Sequence, residues 1–155
     1  MKPRNMTIAI LLVSFIVGAQ GQQEIRFALL PASETASLAR EYPKSGPDKI
    51  DGGWQPNKAV IDNLEANLPH ISELRSFGAP NGEKIEHPNT YFRQYLAVIR
   101  GGQRKIYVNA MCDVKYSKDW RTHLAIVMDG GSCFWQAWFD PATEKFTDFY
   151  INGRA

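Results

Sequence analysis

Tyr91–Cys112 reads YFRQYLAVIRGGQRKIYVNAMC: two runs rich in aromatic and β-branched residues, Tyr91–Arg100 and Lys105–Cys112, on either side of Gly101-Gly102. A glycine pair between such runs supplies the positive φ angles of a tight turn, so the stretch predicts an antiparallel hairpin. The same grammar continues downstream. Leu124–Met128 and Cys133–Asp140 flank Asp129-Gly130-Gly131-Ser132 as a second hairpin, and Lys145–Ile151 follows the turn Asp140-Pro141-Ala142-Thr143.

Upstream the period changes from two to nearly four. Residues 56–68 (PNKAVIDNLEANL) place Val60, Ile61, Leu64 and Leu68 on one stripe, with Pro56 in the first turn and Pro69 as the stop. The polar residues lie off that stripe, as in a helix lying across a sheet. Residues 31–43 (PASETASLAREYP) predict a shorter helix with Ser33 as its cap, Glu34 at its positive end and Pro43 as its stop. Its apolar face is thin. Lys44–Gly53 and Gly78–Asn89, rich in Gly, Pro, Asp and Asn, read as loops. The order predicts an α+β fold: one long helix packed on an antiparallel meander of about four or five strands. By element order alone it is analogous to cystatin-like and nuclear-transport-factor-2-like folds, an analogy that carries no function.

Residues 1–21 have another character. Lys2 and Arg4 precede the uncharged run Met6–Val17, and Ala19-Gln20-Gly21 sets small residues where a signal peptidase reads. A dozen apolar residues fall short of the roughly 20 that span a bilayer. The segment is therefore expected to be a cleaved secretory signal, leaving residues 22–155 as a single domain that is secreted or periplasmic. No Cys stands near the cleavage site to accept a lipid. The whole chain carries 18 Lys and Arg against 16 Asp and Glu; without Lys2 and Arg4 the balance is 16 against 16. A neutral mature chain removes the electrostatic case for nucleic acid or an anionic membrane as partner.

Cys112 and Cys133 are the only cysteines, and in an exported chain an even number predicts a disulfide. Geometry sets a condition. In a tight meander Cys112 would oppose about residue 123, while Cys133 would oppose Met128, which separates the sulfurs by about 15 Å at about 3.3 Å per residue. Either Asp113–Thr122 make an excursion that shifts the register, or the thiols are free.

Candidate chemistry is sparse. His70, His87 and His123 show no metal-binding spacing, and no cofactor is implied. His123 with Asp119 or Asp129, or a pair drawn from Asp113, Asp119, Asp140 and Asp148, would serve a small secreted hydrolase, the alternative reading. Asp129–Ser132 could form an anion nest, but no basic residue or helix start follows it. The strongest hint is the strand Cys133–Asp140. Alternation puts Cys133, Trp135, Ala137 and Phe139 on one side and Phe134, Gln136, Trp138 and Asp140 on the other, so one aromatic pair cannot face the long helix. Either residues 25–42 cover that second face, or it is a concave aromatic surface. In the latter case Phe134, Gln136, Trp138, Trp135 and Tyr150 are the candidate ligand-binding residues, with Tyr107, Asn109 and Arg93 beside them.

The C-terminal third resembles small uncharacterised secreted bacterial proteins through Cys112, Trp120, Asp129-Gly130-Gly131-Ser132-Cys133-Phe134-Trp135, Asp140-Pro141 and Asn152-Gly153-Arg154-Ala155. The resemblance covers about 45 residues. It implies secretion and supplies no site. The function expected is that of a non-catalytic binding domain for a small ligand or another exported protein, as an inhibitor or accessory. An envelope scaffold is the third reading.

Overall fold

The structure, a computed structural model, describes residues 25–77 and 82–154; the expected signal segment lies outside them. Six strands and two helices follow in the order β1 (Phe27–Leu29), α1 (Thr35–Leu38), β2 (Ile50–Gly53), α2 (Lys58–Asn67), β3 (Phe92–Arg100), β4 (Gln103–Met111), β5 (Phe134–Asp140) and β6 (Lys145–Ile151). The central hairpin forms as its sequence predicts. β3 and β4 pair from Phe92 opposite Met111 to Arg100 opposite Gln103, and Gly101 and Gly102 take φ of 53° and 76°. Gly101 is doubly constrained, because a Cβ there would stand 2.2 Å from the Pro47 carbonyl oxygen.

The sheet is mixed, which corrects the antiparallel expectation. Its order is β1-β3-β4-β5-β6, with β2 also on β3. β1 runs parallel to Arg93–Tyr95 and β2 antiparallel to Val98–Arg100, so the two short strands share the outer edge of β3. β1 is three residues long and β2 reads IDGG, so neither offers a countable alternation.

Leu124–Met128 does not form a strand, and Asp129–Ser132 is not a hairpin turn. Instead β4 pairs directly with β5 from Met111 opposite Phe134 to Ile106 opposite Phe139, and the intervening residues cross the sheet face as a long loop. Gly130 turns left-handed at φ 92°, and a single 3₁₀ turn, Gly131–Cys133, enters β5. This excursion brings the cysteines together. The Cys112 N–H donates to the Cys133 carbonyl at 2.9 Å, the Cα atoms are 4.9 Å apart, and the disulfide closes. The thiol alternative is overturned.

α2 is capped by Asn57, whose Oδ1 accepts from the Val60 N–H at 3.0 Å; Pro56 stands just outside the helix. Pro69 does not end the helical run but changes its pitch, since the chain continues as a 3₁₀ helix through Leu68–Glu73. The expected stripe is in place, with Ile61, Leu64 and Leu68 buried and Val60 packed at its margin. The earlier helix is shorter than expected. A 3₁₀ turn at Ala32–Glu34 leads into the four-residue α1, entered from Pro31 with no side-chain cap from Ser33.

The two sheet faces have separate cores. Tyr95, Ala97, Ile106, Val108, Ala110, Trp135, Ala137 and Phe139 pack against α2 and the 3₁₀ helix after it. On the second face, Leu96, Val98 and Trp138 meet Leu30, Leu38 and Ile50, while Met111 and Phe134 meet Ala28 and Trp120.

Candidate binding groove

The strand register sets four polar side chains in one row across the second face. Gln94 on β3 lies opposite Asn109 on β4, Asn109 opposite Gln136 on β5, and Gln136 opposite Tyr150 on β6. Gln94 is fully buried and uses every hydrogen-bonding position it has. Its Nε2 donates to the Trp120 and His123 carbonyls, and its Oε1 accepts from Asn109 Nδ2 and the Ala125 N–H, both at 2.9 Å. Asn109 Nδ2 also donates to the Ala125 carbonyl at 2.8 Å, and Asn152 Nδ2 to the Val127 carbonyl at 2.6 Å. Side-chain amides thus do for the crossing loop what a neighbouring strand would do. Gln94→Leu is expected to cost about 2 kcal/mol, because buried partners lose their bonds, and to deprotect the 120–127 amides selectively in hydrogen exchange. Unchanged protection there would remove the amide row from this role.

With the Ala125 and Val127 backbones tied to the sheet, alternation separates the side chains of this extended segment. Ala125 and Val127 turn toward Met111, Trp120 and Phe134. Leu124, Ile126 and Met128, with the Ala125 and Val127 positions between them, line a groove together with Leu38, Glu41 and Tyr42. Its floor is Tyr107, Asn109, Gln136 and Tyr150. The groove consists of two adjoining hollows, of about 220 Å³ and 650 Å³, which share Tyr42, Tyr107, Gln136 and Tyr150. The larger one runs on past Trp138, Phe77, Arg100, Asp48 and Asp148.

The second face is therefore neither open nor sealed. Residues 28–50 cover one half and the loop after β4 covers the other, leaving a seam along the polar row. Gln136 and Tyr150 lie together in the floor, with Tyr107 and Asn109 beside them. Trp138 lines the larger hollow but is only 2% exposed. Three sequence candidates fall elsewhere. Phe134 is buried under the crossing loop, and Trp135 faces α2 between Tyr91 and Phe149. Arg93 also faces α2, where its guanidinium meets the Glu65 carboxylate and the Tyr95 hydroxyl. Each lies on the side its parity dictates once the register is known.

Tyr42, Asp48, Phe77, Arg100, Ile126 and Met128 complete the groove and were not anticipated. The alternation of 124–128 was the available signal, but it read as a ladder strand; Phe77 and Asp48 carry no local signal. Trp138 Nε1 donates to the Tyr42 hydroxyl at 3.0 Å. Burial pushes the Tyr42 and Tyr107 phenols above their ordinary pKa, so both stay protonated through neutral pH. The Arg100 guanidinium stacks 4.5 Å from the Trp138 ring and bridges Asp48 and Asp148, the latter at 2.7 Å. Burial works against that charge, and the two carboxylates outweigh it, raising the Arg100 pKa.

The carboxylates suggested for hydrolysis are dispersed. Asp113 caps the 3₁₀ turn Val114–Tyr116, Asp148 holds Arg100, and Asp140 holds Lys105 at 2.7 Å. His123 contacts Thr122 Oγ1 through Nδ1. Partial burial alone would raise the Asp140 carboxyl, but Lys105, the Ala142 N–H and Thr143 together hold it below its ordinary value. A carboxyl depressed on folding stabilises above its unfolded pKa and loses that contribution as pH falls through the folded value. Asp140→Asn is thus expected to lower stability by about 1 kcal/mol at neutral pH and by much less at strongly acid pH, where the carboxyl is protonated in both the folded and the unfolded chain. Urea denaturation at both pH values tests this, and an equal loss at both would refute the ionic origin.

Among the described residues, no group of His, Cys, Asp or Glu is disposed to hold a metal, and no helix is long and apolar enough to cross a membrane. Compared with protein-family models, curated proteins and solved structures, the chain matches none.

Proposed function

We propose that this chain is an exported, non-catalytic binding domain that works through the groove on its second sheet face. One observation carries the reading. Of the four large apolar side chains exposed among the described residues, Ile25, Phe77, Ile126 and Met128, three line this one groove. A cluster of that kind, over a floor of polar groups, is what a ligand site requires. The floor supplies the polar part. Among the described residues the Gln136 carbonyl oxygen and the Tyr107 and Tyr150 hydroxyls have no hydrogen-bond partner, while Gln136 Nε2 makes a single 3.3 Å bond to Asn109. The Cys112–Cys133 disulfide agrees with an oxidising, extracytoplasmic setting.

The test is a nuclear magnetic resonance screen of the oxidised domain against small aromatic, saccharide and charged aliphatic probes. Shift changes should concentrate on Tyr107, Ile126, Met128, Gln136 and Tyr150, and Gln136→Ala with Tyr107→Phe should weaken them while the thermal transition stays in place. Probes that bind only elsewhere, or none that bind at millimolar concentration, overturn the reading.

A further inference from the structure

The groove's charge and its ring faces narrow the ligand class, an inference that rests on the binding reading above. Among the described residues the ionisable groups lining the two hollows, phenols aside, are Glu41, Asp48 and Asp148 against Arg100. Arg100 is already held by two of those carboxylates, so an entering ligand meets a surplus of negative charge. It also meets rings. Tyr42, Phe77, Tyr107, Trp138 and Tyr150 all line the larger hollow. Rings beside carboxylates attract cations through the negative ring face as well as through Coulomb attraction, and desolvation strengthens both.

Arg100 displays that chemistry inside the fold. Its guanidinium lies 4.5 Å from the Trp138 ring centre and 5.7 Å from that of Tyr42, between Asp48 and Asp148. Among the described residues the remaining carboxylate oxygens of Asp48 and Asp148 meet no other cation, and both side chains are about half exposed, at 48% and 47%. At the other end, Leu124, Ile126 and Met128 offer apolar side chains, with Glu41 and the Asn109 and Asn152 amides lining the same hollow. The groove thus groups apolar side chains at the crossing loop, and rings with two carboxylates at Asp48 and Asp148.

We infer that the groove takes an organic cation with an apolar body: an ammonium or guanidinium group placed near Asp48 and Asp148, its hydrocarbon lying along Leu124, Ile126 and Met128. The head group and chain can belong to a free amphiphilic amine or to a basic side chain next to an apolar one in a peptide. An anion of the same length meets the carboxylates and is rejected.

Three probes of equal chain length separate the terms: n-hexylguanidinium, n-hexanol and n-hexanoate, titrated into the oxidised domain and followed by amide shifts. The guanidinium should bind about tenfold more tightly than the alcohol and weaken as salt is raised, while hexanoate should bind most weakly. Asp148→Asn suits the backbone, since Asp148 sits at φ 49° and Asn tolerates that region. It should reduce guanidinium affinity about fivefold and leave the alcohol unchanged. Glu41→Gln, on an exposed side chain lining the smaller hollow, is the second variant and should weaken the guanidinium less than Asp148→Asn does. Equal affinity for cation and alcohol at the groove overturns the cation inference and leaves the binding reading standing. Absence of any shift at the groove with all three probes overturns the inference, and failure of the wider probe screen as well overturns the reading beneath it. Agmatine and a Val-Arg-Val peptide, titrated next, distinguish a free amine from a peptide source.

Discussion

Trp135→Ala is expected to lower the stability of the domain by about 3–5 kcal/mol, the range for emptying a fully buried aromatic site. Trp135 is 0% exposed, lies opposite Ala110 on β4 and Ile151 on β6, and meets the rings of Tyr91 and Phe149 edge-on. Its neighbours belong to β4, β6 and the turn before β3, so the cavity cannot collapse by the movement of one element. A loss of this size is a large share of a typical domain's net stability, so the alanine protein is expected to be partly unfolded at 37 °C. Trp135→Phe provides the measurable companion. Among the described residues the buried indole Nε1 has no hydrogen-bond partner, so phenylalanine removes volume and also an unsatisfied donor, and its expected loss is about 1 kcal/mol. Denaturant titration of both variants decides the matter. A phenylalanine loss as large as that of alanine would show that Nε1 is satisfied in solution, and a small alanine loss would place Trp135 outside the core.

The long strands were legible because their local signals agreed with the global fold. β3, β4, β5 and β6 are seven to nine residues of aromatic and β-branched chain, and glycine or Asp-Pro turns mark their ends. The α2 stripe was equally legible, being a single face of one helix. What could not be read was anything depending on partners far along the chain. Phe27–Leu29 becomes a strand only because β3 has a free edge. Leu124–Met128 has strand alternation, yet its backbone is satisfied by the side chains of Gln94, Asn109 and Asn152, leaving it outside the ladder. The same limit applies to the candidate site. Gln136, Trp138 and Tyr150 could be named from alternation on β5 and β6, whereas Tyr42 and Asp48 arrive from the connection between α1 and β2, and Phe77 from the one between α2 and β3. Phe134 was taken with them because parity assigns a face but does not show which part of that face is covered, and Trp135 because alternation without the register does not say which Trp turns outward.

The second large effect concerns the crossing loop. Replacing both Cys112 and Cys133 by alanine is expected to lower stability by about 3 kcal/mol, the chain-entropy value for a closed loop of this length; the two residues are 21 apart in sequence. The folded state should change little, because the Cys112 N–H still reaches the Cys133 carbonyl and the amide row still holds Ala125 and Val127. The loss therefore lies in the unfolded chain, which gains freedom when the cross-link goes. Two measurements follow from that assignment. The denaturant m-value should rise, since an uncross-linked unfolded chain exposes more surface. Affinity of the groove for n-hexylguanidinium at low denaturant should remain within about twofold, because Leu124, Ile126 and Met128 keep their anchors. A stability loss under 1 kcal/mol would contradict the entropic account. A loss of the expected size accompanied by collapse of ligand binding would instead show that the disulfide, and not the amide row, positions the wall of the groove.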